Sequence, residues 1–388
     1  MISLANETIN KKDIDALIEW LQQYPRLTKG ELTPKYEEKW SEMLGCKYSV
    51  FVNSGSSANL LMLYSLIEEG LIRRDQKVVV PAVSWSTDLA PVVQLGLEPV
   101  LCDCNMEDLS VDLNHLEQIF KKEQPAALMM VSVLGLVPDM KSVVQLCEKH
   151  DVILLEDSCE SLGSEYDGKK IGTFGLMSSF STYFGHHIST IEGGMVCTDD
   201  KKLYNILKAI RSHGWDRDLD PDVRDKLRKD NNIDGFDALY KFYYFGFNTR
   251  STDLQAFLGI NQLDKLEMIV SKRNKNYNLY NKLIKNDFWK PKDFDNRFVS
   301  NFAYPLIHPK RELIVEALDK KGIENRPLIC GSLGNQPVWK NNFRNKHVIL
   351  NSATVVDKHG MYLPNNHTIT EEEIGEICDT IKEVIYEI

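Results

Sequence analysis

The stretch from Leu154 to Gly194 constrains the fold of this chain most. It begins inside the apolar run Val152–Leu155, and the acidic pair Glu156–Asp157 follows directly. A short apolar run of this kind predicts a buried strand of a parallel sheet, and open α/β sheets bind their ligands at the carboxyl ends of such strands. We therefore expect this strand to deliver a carboxylate to a ligand-binding edge.

Short apolar runs and segments of helical period alternate along the chain as far as residue 211. The alternation predicts an α/β fold, with a mostly parallel mixed sheet flanked by helices. A long helix is predicted from Leu254 to about Ile284, and we place a domain boundary inside it. Residues 1–260 would form a large domain with an N-terminal helical segment, and residues 261–388 a smaller C-terminal α+β domain.

Composition excludes several classes of function. The net charge of −10 is spread along the chain, which argues against a nucleic-acid-binding surface. No apolar stretch approaches the ~20 residues of a membrane span, and the N-terminus carries no signal-peptide pattern. The eight cysteines lack the spacing of metal or iron–sulfur ligands. We expect reduced thiols, no bound metal and a cytoplasmic protein.

A glycine- and serine-rich turn follows the strand predicted over residues 47–52. It contains Gly55, Ser56 and Ser57, and a helix is predicted from Leu60. The free N–H groups and positive end of a helix bind a phosphate well, and serine hydroxyl groups add further donors. Serine also caps helices for purely structural reasons, so the turn alone leaves both interpretations open.

Trp85 follows the strand predicted over residues 77–84. A flat aromatic side chain at a strand end can stack on a heteroaromatic ring. A tryptophan of the hydrophobic core is the alternative, but the polar residues around Trp85, from Ser84 to Asp88, argue against full burial.

The pattern of residues 156–194 resembles the sugar-modifying branch of the aspartate aminotransferase superfamily, the pyridoxal-phosphate (PLP) enzymes of fold type I. The resemblance rests on Glu156–Asp157, on the Gly-Thr-Phe-Gly turn at 172–175 and on Glu192–Gly194. In that branch a lysine that binds PLP covalently lies six residues before the glutamate, where this chain has His186. The resemblance is therefore greatest to the lysine-lacking 3-dehydratases of GDP-linked 4-keto-6-deoxy sugars.

The resemblance implies roles for individual residues. Strand alternation points Glu156 and Asp157 to opposite faces, and the family pattern selects Asp157 as the partner of the PLP ring nitrogen. An asparagine of the family crosses a homodimer interface to the neighbour's cofactor phosphate. The implied cofactor-binding residues are Gly55, Ser56, Ser57, Trp85, Asp157, Glu160, Ser181 and Asn248. Arg250 and Arg326 are candidate contacts for the nucleotide diphosphate or the amino donor, because arginine forms bidentate bonds to phosphate and carboxylate groups, and His213 is a further candidate.

The same resemblance implies a reaction. Histidine cannot hold PLP covalently, but its unperturbed pKa of about 6.5 suits proton transfer near neutral pH. His186 is thus the expected catalytic base, with PLP or pyridoxamine phosphate (PMP) bound non-covalently. The expected reaction removes the C-3 hydroxyl of a GDP-sugar of mannose configuration, uses L-glutamate as amino donor and releases ammonia. Either His186 or His187 could protonate the leaving hydroxyl, although a structural role is favoured for His187.

Other interpretations remain open at this point. A related branch acts on CDP-linked sugars and uses an iron–sulfur cluster, but no cysteine lies between Cys197 and Cys330. A nucleotide-sugar 4-aminotransferase would need a lysine at position 186. A binding protein with a vestigial PLP pocket is the non-enzymatic alternative. The highly charged segment 212–240 is either a surface loop or a lid over the site.

Overall fold

The computed structural model describes residues 1–343 and 348–386. Its strands are β1 (Tyr48–Val52), β2 (Lys77–Pro81), β3 (Glu98–Cys102), β4 (Ala127–Val131), β5 (Ile153–Asp157), β6 (Glu165–Tyr166), β7 (Lys169–Lys170), β8 (Met177–Ser181), β9 (Gly194–Thr198), β10 (Arg297–Phe298), β11 (Tyr304–Ile307), β12 (Arg326–Pro327) and β13 (Gly360–Leu363). Its helices are α1 (Lys11–Leu21), α2 (Leu32–Leu44), α3 (Gly55–Glu69), α4 (Ser86–Gln94), α5 (Leu113–Glu123), α6 (Met140–His150), α7 (Lys201–Arg211), α8 (Pro221–Asp230), α9 (Asp253–Leu263), α10 (Leu266–Leu283), α11 (Arg311–Lys320), α12 (Pro337–Asn342), α13 (Asn351–His359) and α14 (Glu371–Tyr386).

Seven strands form the main sheet in the order β1-β9-β8-β5-β4-β2-β3. The strands from β8 to β3 in this order pair in parallel, whereas β9 is antiparallel to both of its neighbours. The expected α/β fold with a mostly parallel mixed sheet is confirmed. Parallel strands end at the same edge, so the residues that follow β2, β4, β5 and β8 are brought together there.

Both faces of the sheet are covered by apolar side chains. Val50 and Val52 of β1 belong to one large hydrophobic cluster, whereas the intervening Phe51 belongs to a second cluster that includes Tyr36 and Trp40 of α2. Successive strand residues point to opposite faces, so this alternation shows a sheet that is buried on both sides. Such burial explains the nearly continuous apolar runs of the sequence.

The prediction of one long helix from Leu254 to Ile284 is wrong in one respect, because the chain forms two helices there. Helix α9 ends at Leu263 and α10 begins at Leu266. At the break, the Lys265 ammonium donates to the Thr8 carbonyl at 3.0 Å and also binds the Asp13 carboxylate. These N-terminal partners lie far away in sequence, so helical periodicity could not reveal the break.

The second half of the chain adds a small antiparallel sheet in the order β11-β13-β12, with α11 and α14 packed on each other. The domain boundary between residues 260 and 261 stays a prediction. Within the described residues, no helix combines the length and the apolar character that crossing a bilayer requires. The eight cysteines are free thiols. In the same part of the chain, no group of three or more His, Cys, Asp or Glu side chains is placed to hold a metal ion.

Candidate active site

A cavity of about 460 Å³ lies where the parallel strands of the main sheet end. It is lined by residues that follow β2, β4, β5 and β8 and by the first turn of α3. Seven of the residues predicted from the sequence line this one cavity: Gly55, Ser56, Trp85, Asp157, Glu160, Ser181 and His186.

Strand β5 presents its two terminal carboxylates to different environments. Glu156 accepts hydrogen bonds from the backbone N–H groups of Gly172 (2.8 Å), Phe174 (2.7 Å) and Gly175 (2.6 Å). Asp157 lines the cavity and accepts from Asn59 Nδ2 at 2.6 Å. Glu156 therefore fixes the Gly-Thr-Phe-Gly turn, and Asp157 is the carboxylate that a ligand can reach.

The first turn of α3 forms an anion-binding corner of the cavity. Helix α3 begins at Gly55, five residues earlier than predicted, and Ser54 caps it by accepting from the Ser57 N–H at 3.1 Å. A Cβ atom on Gly55 would lie 2.8 Å from the Ser181 Cβ, so only glycine allows this close approach. The first N–H groups of a helix lack intrahelical partners, which leaves them available to a phosphate.

Ser57 does not line the cavity. Its N–H binds Ser54, and its hydroxyl donates to Asn53 Oδ1 at 2.7 Å. The capping and the phosphate-binding interpretations of the serine-rich turn therefore apply to different residues. Ser57 takes part in helix capping, while Gly55 and Ser56 face the cavity with Ser181.

His186 lies in the turn after β8, with its ring centroid 5.2 Å from that of Phe302. Burial lowers the pKa of this imidazole to about 4, against the opposing effect of Asp157 and with a further lowering by Arg273. Its Nδ1 atom is buried without a hydrogen-bond partner among the described residues. The imidazole is thus neutral near pH 7 and can accept a proton.

His187 has different surroundings. Its side chain is fully buried, and Nε2 lies 2.9 Å from the Ser300 carbonyl oxygen and 3.1 Å from the Ser300 hydroxyl. It does not line the cavity. These contacts join the turn after β8 to the segment before β11, in agreement with the structural role favoured from the sequence.

The cavity is acidic. Burial is the main cause that raises the pKa of Glu160, to about 8, and it also raises the pKa of Asp88 well above the usual range for a carboxyl group. No lysine or arginine of the described residues lines the cavity. The site can therefore bind a protonated ring nitrogen beside its carboxylates, but it offers no amine for covalent attachment.

Three predicted residues lie together outside the cavity, on the segment from 212 to 250. Arg250 Nε donates to Asn248 Oδ1 at 3.1 Å, and the ring centroids of His213 and Trp215 are 5.1 Å apart. The segment contains α8, so it is more than a loop, and none of its residues lines this chain's own cavity. Its exposed aromatic side chains include Phe236, Tyr240, Phe242 and Phe245.

Arg326 is exposed and lies at the edge of the small sheet. It is paired in register with Tyr362 of β13, and Tyr362 lines the cavity. Arg326 is therefore placed near the cavity rim rather than inside it.

Sequence reasoning did not single out Asn59, Asp88, Tyr183 or Tyr362, all of which line the cavity. Asn59 and Asp88 carry a signal in the sequence, because each is a polar residue in the first turns of a helix that is otherwise mostly apolar. Tyr183 and Tyr362 carry none that distinguishes them from other tyrosines.

Comparison with known proteins agrees with this geometry. The sequence matches the DegT/DnrJ/EryC1/StrS aminotransferase family over residues 7–382. A GDP-4-keto-6-deoxy-D-mannose 3-dehydratase of Yersinia pseudotuberculosis is 36% identical over 389 residues, which cover 98% of this chain and 98% of that protein. The structure of an E. coli GDP-4-keto-6-deoxy-D-mannose-3-dehydratase with bound hydrated PLP has a TM-score of 0.90 and 32% identity, covering 98% of this chain and 100% of that one. A GDP-4-keto-6-deoxymannose-3-dehydratase with a trapped PLP-glutamate geminal diamine has a TM-score of 0.89 and 31% identity, with the same coverage.

The sheet, the cavity at its carboxyl edge and these similarities define a protein with the aspartate-aminotransferase-like fold, PLP fold type I. The expected fold type is confirmed. The chain belongs to the DegT/DnrJ/EryC1/StrS aminotransferase family.

Proposed function

We propose that this protein is a PLP/PMP-dependent 3-dehydratase of a nucleotide sugar. Its substrate is a GDP-linked 4-keto-6-deoxyhexose of mannose configuration, and it removes the C-3 hydroxyl to give a 4-keto-3,6-dideoxy sugar. L-Glutamate is the amino donor, and ammonia is released. The relatives named above, which cover nearly the whole chain, support this substrate and this cofactor.

The residues of the cavity fit PLP. Asp157 is a carboxylate that can hold a proton on a pyridine nitrogen, and the first turn of α3 together with Ser181 can bind the phosphate. Trp85 keeps 55% of its surface exposed although it lines the cavity, so its ring face is free to stack on a cofactor ring. Glu160 stands beside Asp157 as a largely protonated acid near neutral pH.

When bound, the cofactor supplies an amine for the 4-keto carbon and a ring that accepts electron density. His186 removes the proton from the cofactor's C-4′ atom, because its imidazole is neutral near pH 7. The imidazolium formed in this way can donate that proton to the C-3 oxygen of the sugar, which turns a poor leaving group into water. Asp157 holds the proton on the ring nitrogen throughout.

One observation carries this proposal: His186 lies in the cavity, and no lysine of the described residues lines it. Lys169 and Lys170, the lysines that precede it in sequence, are engaged elsewhere. Lys169 Nζ lies 4.4 Å from the centroid of Phe174, and Lys170 Nζ binds the Met43 carbonyl. A 4-aminotransferase of this family needs an amine at the cofactor, so dehydration is the reaction favoured here.

A second copy of the chain would complete the site. The cavity contains no cation of its own among the described residues, yet the phosphate of PLP and the diphosphate of a GDP-sugar are anionic. Asn248, Arg250 and His213 lie on an exposed aromatic surface that does not serve this chain's cavity. We infer a homodimer in which each segment 212–250 reaches the partner's site, with Arg326 at the rim of its own cavity. The eight free thiols suit a cytoplasmic location.

Turnover tests the proposal directly. Purified protein is incubated with PLP, L-glutamate and GDP-4-keto-6-deoxymannose, and ammonia and 2-oxoglutarate are measured together. Both products should accumulate in equal amounts. Formation of 2-oxoglutarate with a 4-amino sugar and no ammonia would instead identify an aminotransferase, and absence of both products would identify a binding protein.

A further inference from the structure

Asp88 is a buried acid of the cavity to which the proposed reaction gives no role. It lies in the first turn of α4, and its side chain is fully buried. Its Oδ2 accepts from the Trp85 N–H at 3.0 Å, and its Oδ1 accepts from Asn59 Nδ2 at 3.1 Å. The Asp157 carboxyl group lies beside it, since one amide nitrogen donates to both, and this proximity adds to burial in raising the pKa of Asp88.

Asn59 bridges these two carboxyl groups. Its Nδ2 donates to Asp157 Oδ2 at 2.6 Å as well as to Asp88, and its Oδ1 accepts from the Ser179 hydroxyl at 2.5 Å. Because a carboxylate only accepts, the NH₂ end of the amide must face the two acids. The Ser179 hydroxyl then has to donate, and this bond fixes the orientation of Asn59.

Asp88 and Asp157 lie side by side in a buried place, so both carboxyl groups could be ionised only if a cation lay next to them. The titratable groups that face the pair are Cys159, Glu160, His186 and Cys330, and none of these carries a positive charge near pH 7. Like charges in contact and burial both favour the neutral acid, so one of the two carboxyl groups keeps a proton.

The surroundings identify the protonated member of the pair. Asp88 is fully buried, whereas Asp157 keeps 8% of its surface exposed at the end of β5. Each carboxyl group accepts two N–H bonds, and those to Asp157 are the shorter ones. Asp157 accepts from Asn59 at 2.6 Å and from the Cys159 N–H at 2.9 Å. Asp88 accepts from Asn59 at 3.1 Å and from the Trp85 N–H at 3.0 Å. Donors to the ionised form stabilise it, so the negative charge resides on Asp157.

We propose that Asp88 holds the shared proton and donates it to Asp157, with Asn59 clamping the pair, so that a single negative charge faces the cofactor's ring nitrogen. Asp88 and Asn59 are then positioning residues that act through Asp157. Asp88 also accepts from the Trp85 N–H, so it connects the backbone of the ring-stacking residue to the partner of the ring nitrogen. The part of this proposal that concerns the ring nitrogen rests on the proposed function.

The charge state of Asp88 is testable in the cofactor-free full-length protein. The folded chain holds a proton that the unfolded chain releases above a pH of about 3.9, so stability falls as the pH rises. Urea unfolding is measured from pH 5 to pH 8 for the wild type, for Asp88→Asn and for Asp230→Asn, an exposed control. The unfolding constant of the wild type should rise relative to that of Asp88→Asn by up to about tenfold per pH unit, since one proton is involved. The control should follow the wild type, and parallel curves for wild type and Asp88→Asn would overturn the proposal.

Binding of PLP tests the clamp, with dissociation constants measured by fluorescence at pH 7.5. Asp88→Asn keeps a hydrogen-bond donor for Asp157 and should bind PLP within about threefold of the wild type. Asn59→Asp keeps the shape of the side chain but places a third carboxyl group beside Asp88 and Asp157. It should weaken PLP binding at least tenfold. A tenfold loss in Asp88→Asn, or none in Asn59→Asp, would refute the arrangement. If the wild type itself fails to bind PLP, the proposed function fails, and the unfolding comparison still decides the charge state of Asp88.

Discussion

The cavity around His186 and the segment 212–250 differ in charge and in exposure. The cavity is buried and acidic, and its only basic side chain among the described residues is an imidazole that is neutral near pH 7. The segment is exposed, rich in aromatic side chains and contains cations. Its Arg217 guanidinium lies 4.3 Å from the ring centroid of Trp215, and Phe245 is 90% exposed.

The difference suggests that one site has two tasks, chemistry at a ring and binding of anionic groups, and that each falls to one of these regions. Chemistry at a ring needs a protected, low-dielectric place with a neutral base, and the cavity supplies that within one chain. Binding phosphate and diphosphate groups also calls for cations, and the arginines of the segment lie on a surface that does not line the chain's own cavity. We therefore expect loss of the base in the cavity to affect the reaction far more than binding, and substitutions in the segment to affect binding and assembly.

The largest effect is expected for His186→Asn. Loss of the base should lower the dehydration rate by about 10²–10⁴-fold, because general-base catalysis contributes that much. Affinity for PLP should change only a few-fold, since the contacts proposed for Asp157, Ser181 and α3 do not involve His186. Ammonia release and PLP binding are measured side by side, with His359→Asn as the matched histidine control. Dehydration at a near-normal rate would assign the base to another residue.

A smaller effect is expected for Asn248→Ala, which should weaken PLP binding roughly tenfold through loss of a charge-assisted hydrogen bond. Mixing this variant with His186→Asn gives heterodimers in which one of the two sites has both residues intact. Activity at low PLP concentration should therefore reappear on mixing. An active monomer in light scattering, or no recovery in the mixture, would show that the segment does not serve a partner.

The pH dependence of dehydration tests whether the cavity keeps His186 buried, as the exposed segment could not. Burial lowers the pKa of His186 to about 4, so its base form should persist when the pH falls from 7 to 5.5. An imidazole with the usual pKa of about 6.5 would lose roughly 90% of its base form by then. Single-turnover dehydration should thus change less than twofold over this range. A decline centred near pH 6.5 would mean that the imidazole is exposed to solvent during the reaction.

The smallest effect is expected for Trp85→Ala. Stacking of an aromatic ring contributes about 0.5–1.5 kcal/mol, so PLP binding should weaken only a few-fold. The free energy of unfolding of the cofactor-free protein should change by less than about 0.5 kcal/mol, because the side chain is half exposed. Fluorescence titration and urea unfolding separate the two quantities. A large loss of stability would indicate that Trp85 belongs to the core.

The sequence predicted the features that depend on local patterns. Apolar runs placed the strands within a few residues, and Asp157 was expected at the sheet edge because its strand ends there. Features that depend on distant contacts were not predictable. Lys265, in the break between α9 and α10, binds a partner 252 residues away, and the antiparallel direction of β9 depends on its pairing with β1 and β8.

The candidate site shows the same limit. His186 was found because its position relative to Glu192 is fixed along the chain. Asn59 and Asp88 were missed because their partner, Asp157, lies on another element and is 98 residues from Asn59 in sequence. Asn248 and Arg250 were named together from the family pattern, and their roles stay predictions because they concern a second chain.

In the proposed function, the imidazole of His186 occupies the place of a PLP-binding amine, so the cofactor is held without a covalent bond. Intact-mass spectrometry after borohydride reduction of the PLP-loaded protein tests it directly, with His186→Lys as the positive control. We expect the wild type to keep the mass of its unmodified chain, while the control gains one reduced cofactor. A stoichiometric cofactor adduct on the wild-type chain would contradict it.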